Sequence, residues 1–168
     1  MRDKTKYTGR MIDYLKAVFV CGGLPHSNRY ARFSDIAKTL GITVSTVSIM
    51  CRRLEGKGLL KVEDNVGVKL TERGFKLLAE HLWKAAILEV MLYKMGLRID
   101  ICKKLAGKLA ENLDMESAEE IYNALGRPKV CPHNRPIIHP RDLKPERALE
   151  IALCCGISFQ EAKVAGKG

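Results

Sequence analysis

Apolar side chains recur at three- and four-residue intervals over most of this chain, which predicts a mainly α-helical fold. Met11, Tyr14, Leu15, Val18 and Phe19 mark a first helix over residues 7–21, stopped by Gly22, Gly23 and Pro25. Ser34 is placed to cap a short helix from Asp35 to Leu40, closed by Gly41. Thr43 is placed to cap the next, Val44 to Glu55, whose Val47, Met50, Cys51 and Leu54 share one face. Gly56 and Gly58 end it. Leu59 to Glu63 and Gly67 to Leu70 are two short runs around Asp64, Asn65 and Val66, the pattern of a β-hairpin. Two short helices, a tight turn between them and a hairpin make a winged helix-turn-helix. Its expected core is Phe33, Ile36, Ala37, Leu40, Ile42, Val47, Met50 and Leu54.

The second half is also helical. Thr71 can cap a long helix over residues 75–95 that carries Leu77, Leu78, Leu82, Trp83, Ile87, Leu88, Val90, Met91, Leu92 and Tyr93. These cover more than one face, so part of the helix is expected to meet a second subunit. A helix over residues 99–112 follows, then one from Met115 to Leu125 capped by Asp114. Five of the six prolines fall between 128 and 145, which predicts an extended crossing segment; a last helix is expected from Pro145 to Cys155. The expected layout is a winged helix-turn-helix domain at 1–76 and a helical dimerisation domain at 77–127. A proline-rich crossing with a C-terminal helix fills 128–168.

At 168 residues the chain suits one ordinary domain, or two small ones sharing a core. No uncharged run is long enough to span a bilayer, and the N-terminus lacks a cleavable small-residue site. A cytoplasmic protein with no membrane partner is expected. Charge narrows the partners. Residues 1–76 hold 15 basic against 7 acidic residues, whereas residues 77–168 hold 14 against 12. A basic first half beside a near-neutral second half fits a domain that faces a polyanion, double-stranded DNA being the expected one. The candidate contacts are Ser45, Thr46, Ser48 and Ile49 at the start of the recognition helix, Arg52 and Arg53 further along, and Lys61 and Lys69 beside the hairpin tip. The alternative for the hydroxyls is capping, and for the arginines a solvated helix face.

The order of segments is more specific than the fold. SDIAKTLGITVSTVSIMCRRLEGKGLL, then GVKLTERG, a long apolar helix, MGL and VCPHNRPI resemble the diphtheria toxin repressor and manganese transport regulator family over residues 11–138. The resemblance implies a homodimeric, metal-responsive repressor of a palindromic operator. It also implies divalent-metal ligands on the first helix and the two dimerisation helices, and there the residues differ. Asp13 stands where a ligand is expected, but Lys16 replaces a glutamate and Lys84 a histidine. Leu88 replaces an acid, Lys103 a histidine, Gly107 a Cys or Glu, and Ala110–Glu111 a Glu-His pair. Only Asp13 and Glu111 remain as donors, so the family's Mn²⁺ or Fe²⁺ site is expected to be lost.

Softer ligands are present instead. Cys102, Cys131, Cys154 and Cys155 lie in the second half with His133 and His139, and are the candidate metal residues. An iron–sulfur cluster, Zn²⁺, thiol redox chemistry and plain apolar packing all stay open for them. Cys21 and Cys51 read as core, and His81 as lying on the outer side of the long helix. No phosphate loop, nucleophile elbow or paired helical His-Glu ligand motif is present, so an enzyme is not expected. The expected function is a homodimeric DNA-binding transcriptional regulator linked to iron, another metal or redox state through cysteine. The alternative is an architectural or assembly winged-helix protein without an effector.

Overall fold

The computed structural model describes residues 9–144. Six helices and one two-stranded sheet follow in order: α1 (Gly9–Val20), α2 (Phe33–Leu40), α3 (Val44–Gly56), β1 (Leu60–Glu63), β2 (Gly67–Leu70), α4 (Glu72–Lys94), α5 (Ile99–Ala110) and α6 (Met115–Ala124). The expected helix at 145–155, with Cys154 and Cys155, lies outside the described residues. No helix among those described is long and apolar enough to cross a membrane.

The caps explain most boundaries. Thr43 accepts from the Thr46 amide at 3.2 Å, Thr71 from the Gly74 amide at 3.0 Å, and Asp114 from the Ser117 amide at 2.8 Å. Each satisfies one of the donors that a helix start leaves free. Ser34 does not act this way. α2 begins one residue earlier, at Phe33, behind an extended Arg32 that offers no side-chain cap, and Ser34 lies inside the first turn. Starting there lets Phe33 pack against the core beside Ile36 and Ala37. Ile42, assigned to that core, is instead 37% exposed on the turn between α2 and α3.

The wing is an antiparallel pair with Leu60 opposite Leu70 and Val62 opposite Val68. Ala31 adds a short third rung: its amide donates to the Val68 carbonyl at 2.8 Å, and the Val68 amide donates back at 2.9 Å. That crossing passes so close to Gly67 that a Cβ there would stand 2.4 Å from the Ala31 carbonyl oxygen, at a φ of +144°. Gly74 is equally constrained, because a Cβ would stand 2.0 Å from the Leu59 oxygen. Glycine in T-E-x-G thus lets the start of α4 lie directly on the chain leaving α3. The Thr71 amide donates to Leu59 (3.1 Å) and the Thr71 hydroxyl to Gly58 (2.7 Å), closing that junction.

α4 runs without a break from the wing into the second half and serves three cores along its length. Phe75, Leu78 and Leu82 close the winged-helix core over Leu15, Val18, Ile36, Val47 and Leu54. Trp83, Ile87 and Val90 pack on Ala118 of α6 and on Cys131 and Ile137 of the crossing segment. Leu88 and Leu92 pack on Cys102, Ala106 and Ala110 of α5. The apolar excess of α4 is therefore absorbed mostly within one chain, Trp83 and Ile87 included, which leaves less of the helix for a second subunit than its sequence suggests. The large apolar side chains left exposed in this half include Tyr93, Met95, Ile99, Ile101 and Leu109, at the far end of α4 and along α5.

Candidate nucleic-acid interface and metal-ligand positions

α3 presents its first turns and one long edge to solvent. Ser45, Thr46, Ile49, Arg52 and Arg53 are exposed and Ser48 is half-buried, while Val47, Cys51 and Leu54 anchor the opposite edge in the core. Ile49 is 69% exposed, unusual for an isoleucine that no packing requires there. Thr46 is partly committed: its hydroxyl shares a 2.8 Å hydrogen bond with that of Thr43.

The basic residues divide by what they touch. Arg52 pairs with Asp64 at the wing tip and lies 3.8 Å from Glu55, so it ties α3 to the hairpin. Glu55 accepts from the Val62 amide at 2.8 Å, a second tie between the same two elements. Lys61 lies 3.9 Å from Glu63. Lys69 donates to the Ser27 carbonyl at 3.3 Å and sits 4.8 Å from the centre of the Tyr30 ring, a cation–π contact. Arg53 is exposed and makes no ion pair among the described residues.

Around α4 the titratable groups fall into two places. The first is where the resemblance would put a metal. Asp13 is exposed on α1 and Lys103 exposed on α5. Lys84 is half-buried and donates to the Leu113 carbonyl at 2.7 Å, bracing the turn between α5 and α6. Burial lowers its pKa, with Glu80 and Asp114 opposing the shift. His81, expected on the outer side of the helix, is only 6% exposed. Burial, then the charges of Lys16 and Lys84, push it down to about 4, so the ring stays neutral at physiological pH. The two ammonium groups oppose a divalent cation beside this imidazole, and Gly107 and Ala110 offer no side-chain donor.

The second place lies about 12 Å further along the helix, at 1.5 Å per residue from 81 to 89. Glu89 of α4, Cys131 and His133 bring one carboxylate oxygen, the thiol sulfur and one ring nitrogen within 4.8 Å of one another. Cys102 is not among them. It is fully buried between α4 and α5, its thiol directed to the Leu97 carbonyl at 3.5 Å, and burial followed by the Glu89 charge raises its pKa. His139 is committed elsewhere: Nε2 meets Glu119 at 2.7 Å and the ring stands edge-on to Trp83 at 4.7 Å between centroids. The other two candidate thiols, Cys154 and Cys155, lie outside the described residues. Glu89 was missed from sequence, although a lone acid inside Ile87-Leu88-Glu89-Val90-Met91 is the kind of interruption that could have flagged it.

Comparison with known proteins agrees with this architecture. Residues 6–68 match the N-terminal DNA-binding domain of iron-dependent repressors, and residues 71–139 match the metal-binding and dimerisation domain of the same family. A helix-turn-helix transcriptional regulator of Aeropyrum pernix is 50% identical over 150 residues, covering 89% of this chain and 83% of that one. The chain belongs to the iron-dependent repressor family. Its members are DNA-binding, dimeric transcriptional regulators rather than enzymes. Within the family, the HTH-type transcriptional regulator MntR of Lysinibacillus sphaericus is 33% identical over 89 residues, 53% of this chain and 62% of that one. Among solved structures, the hypothetical protein SSo2273 from Sulfolobus solfataricus superposes with a TM-score of 0.66 at 26% identity, over 77% of this chain and 98% of its own. ScaR with bound Zn²⁺ gives 0.63 at 26% identity, over 79% and 61%.

Proposed function

We propose that this family member binds a palindromic DNA operator as a homodimer and that its occupancy is set by an effector held through cysteine. DNA contact runs through α3 and the wing. The exposed edge of α3, from Ser45 through Ile49 to Arg53, is the observation that carries the reading. It is rich in hydroxyls and cations, and it stands beside a hairpin braced to it by Arg52–Asp64 and Glu55–Val62. An apolar Ile49 held in solvent suits contact with a thymine methyl in the major groove. Two subunits joined through the exposed end of α4 and α5 would set two such helices one or two turns of duplex apart, about 34 Å per turn.

For the effector, the separation of Cys102 and Cys131 into different packing clusters favours a single metal ion over an iron–sulfur cluster, which needs several thiolates at one point. α4 supplies the mechanical connection, since its first turn is bonded to residues just beyond α3 and Glu89 lies further along the same rod.

The test is a fluorescence-anisotropy titration against duplex DNA over a salt series. Arg53→Ala is expected to weaken binding to every sequence and to lower the salt slope by about one. Arg52→Ala should lower the slope less, because Asp64 and Glu55 already offset part of its charge. Ser48→Ala or Ile49→Ala should change the preference between sequences more than the overall affinity. Binding that ignores all four substitutions overturns the interface; salt-sensitive binding without any sequence preference would favour an architectural role.

A further inference from the structure

Where the crossing segment meets the first half of α4, two hollows run into each other. The upper one is a narrow apolar slot between Leu82, Trp83 and Ala86 of the helix and Ile137 and Ile138 of the crossing. The lower one is a wider cleft of about 590 Å³ lined by Phe75 and Ala79 of α4, by Met115 of α6 and by Pro140. Ala79 and Leu143 line both. Together they make one trough along α4 from residue 86 back to residue 72, about 21 Å at 1.5 Å per residue.

The trough lacks a cover in three respects. Its floor is apolar, and an apolar hollow left open forgoes the hydrophobic gain and the dispersion contacts of a packed core. Trp83 is only 2% exposed, yet its indole N–H has no acceptor among the described residues, where a buried donor normally has one. The charged rim is uneven as well. Glu72 is paired with His26, whereas the exposed Lys76 has no ion pair among the described residues and Arg141 stays 81% exposed beside Glu119.

The same chain holds a stretch that needs such a surface. Residues 148–159, ALEIALCCGISF, carry one charge, Glu150, among Leu149, Ile151, Leu153, Ile157 and Phe159. We propose that residues 148–159 dock in the trough of their own chain and close it over Trp83. The single acid of the stretch then meets a rim with spare positive charge at Lys76 and Arg141.

Two arguments favour this occupant over another molecule. Leu143, which lines both hollows, lies five positions before the stretch begins, at most about 18 Å of extended chain. A tether that short gives an effective concentration of about millimolar, which a separate partner has to match in bulk. A second copy of the chain has a different surface to use: the exposed Tyr93, Met95, Ile99, Ile101 and Leu109 lie at the opposite end of α4 and along α5.

Docking there has a mechanical consequence. Leu143 packs against the winged-helix core and Ile137 belongs to the second core, so the crossing segment already straddles the two. A cover laid across both residues pins the crossing in place and fixes the winged helix against the second half of the chain. The inference goes beyond the DNA and effector reading and needs neither.

The test uses the full chain without DNA or added metal. p-Benzoylphenylalanine replaces Lys76 in one sample and Glu80 in another, both at the edge of the cleft. Each sample is an equal mixture of ¹⁵N-labelled and unlabelled protein allowed to exchange, irradiated, digested and read by mass spectrometry. The expected result is a cross-link from at least one position to a peptide within residues 148–159, with both ends from the same chain. Leu149→Asp combined with Leu153→Asp should lose that cross-link and make Trp83, the only tryptophan in the sequence, easier to quench with acrylamide. Thermal melting of the same sample checks that the fold survives. Cross-links that join two chains give the trough to a second copy. Cross-links that persist in the double Asp variant reflect the tether alone, and none from either position leaves the trough without this occupant. Any of the three overturns the proposal.

Discussion

Two stretches of one helix, eight residues apart, carry opposite chemistry. Around His81, α4 meets Lys16 and Lys84, and the imidazole is kept neutral in a buried, positive setting. Around Glu89, the same helix meets a thiol and an imidazole, and the buried carboxylate is paired with His133. Both stretches lie within the segment that matches the family's metal-binding and dimerisation domain. A fold-level likeness therefore transmits the shape of a regulator without fixing the chemistry at each position, because helix packing tolerates a change of side chain that a coordination sphere does not.

The sharpest way to break this contrast is to titrate the fold. His81 ionises near 4 in the native state against 6.5 when free. Between those values the unfolded chain takes up a proton that the native chain refuses. Stability should therefore fall as pH drops from about 6.5 to about 4 and level off below, a loss of about 3 kcal/mol from this group. Thermal melts of wild type and His81→Leu across that window should differ in slope, with the variant flatter. Parallel curves would mean that His81 is not held in a positive, buried pocket.

A smaller effect should follow from Lys84→Met. The Leu113 carbonyl loses its donor, at a cost of about 1–2 kcal/mol at neutral pH. One of the two charges that depress His81 also disappears, so the pH-dependent part should shrink in the same variant. The two readouts move in opposite senses, and denaturant melts at pH 7 and pH 5 resolve them. Equal destabilisation at both pH values would detach Lys84 from His81.

The smallest expected signal is a flat one. Calorimetric titration with Mn²⁺ should reveal no sub-micromolar site in the wild type, since Lys16, Lys84, Lys103, Gly107 and Ala110 remove the donors. A tight, saturable heat would erase the distinction between the two stretches.

What could be read in advance followed short-range rules. Thr43, Thr71 and Asp114 each lie within three residues of the amide they cap, and the hairpin register follows from a three-residue gap between short runs. Ser34 shows the limit even there, because the packing of Phe33 outranked a good capping residue. The surroundings of His81 and Glu89 were not legible, although Glu89 stood out as a lone acid in an apolar run, and for one reason. Which element covers a given face of α4 depends on α1 and on the crossing segment, up to 65 positions away, and no local pattern encodes that. The apolar excess of α4 misled for the same cause: three cores wrap one helix, so a surface that looks two-sided in sequence is consumed within the chain.

The wing also bears on the behaviour of the protein in solution. A two-stranded sheet has two open rims, each a template for pairing with another copy. Here the β2 rim is partly occupied by Ala31, and on β1 the Val62 amide is taken by the Glu55 carboxylate. Lys61 and Glu63 put charge along the remainder. The brace that positions the hairpin beside α3 thus doubles as protection against rim-to-rim aggregation. Glu55→Ala should accordingly make the concentrated protein more prone to form β-rich precipitate on storage.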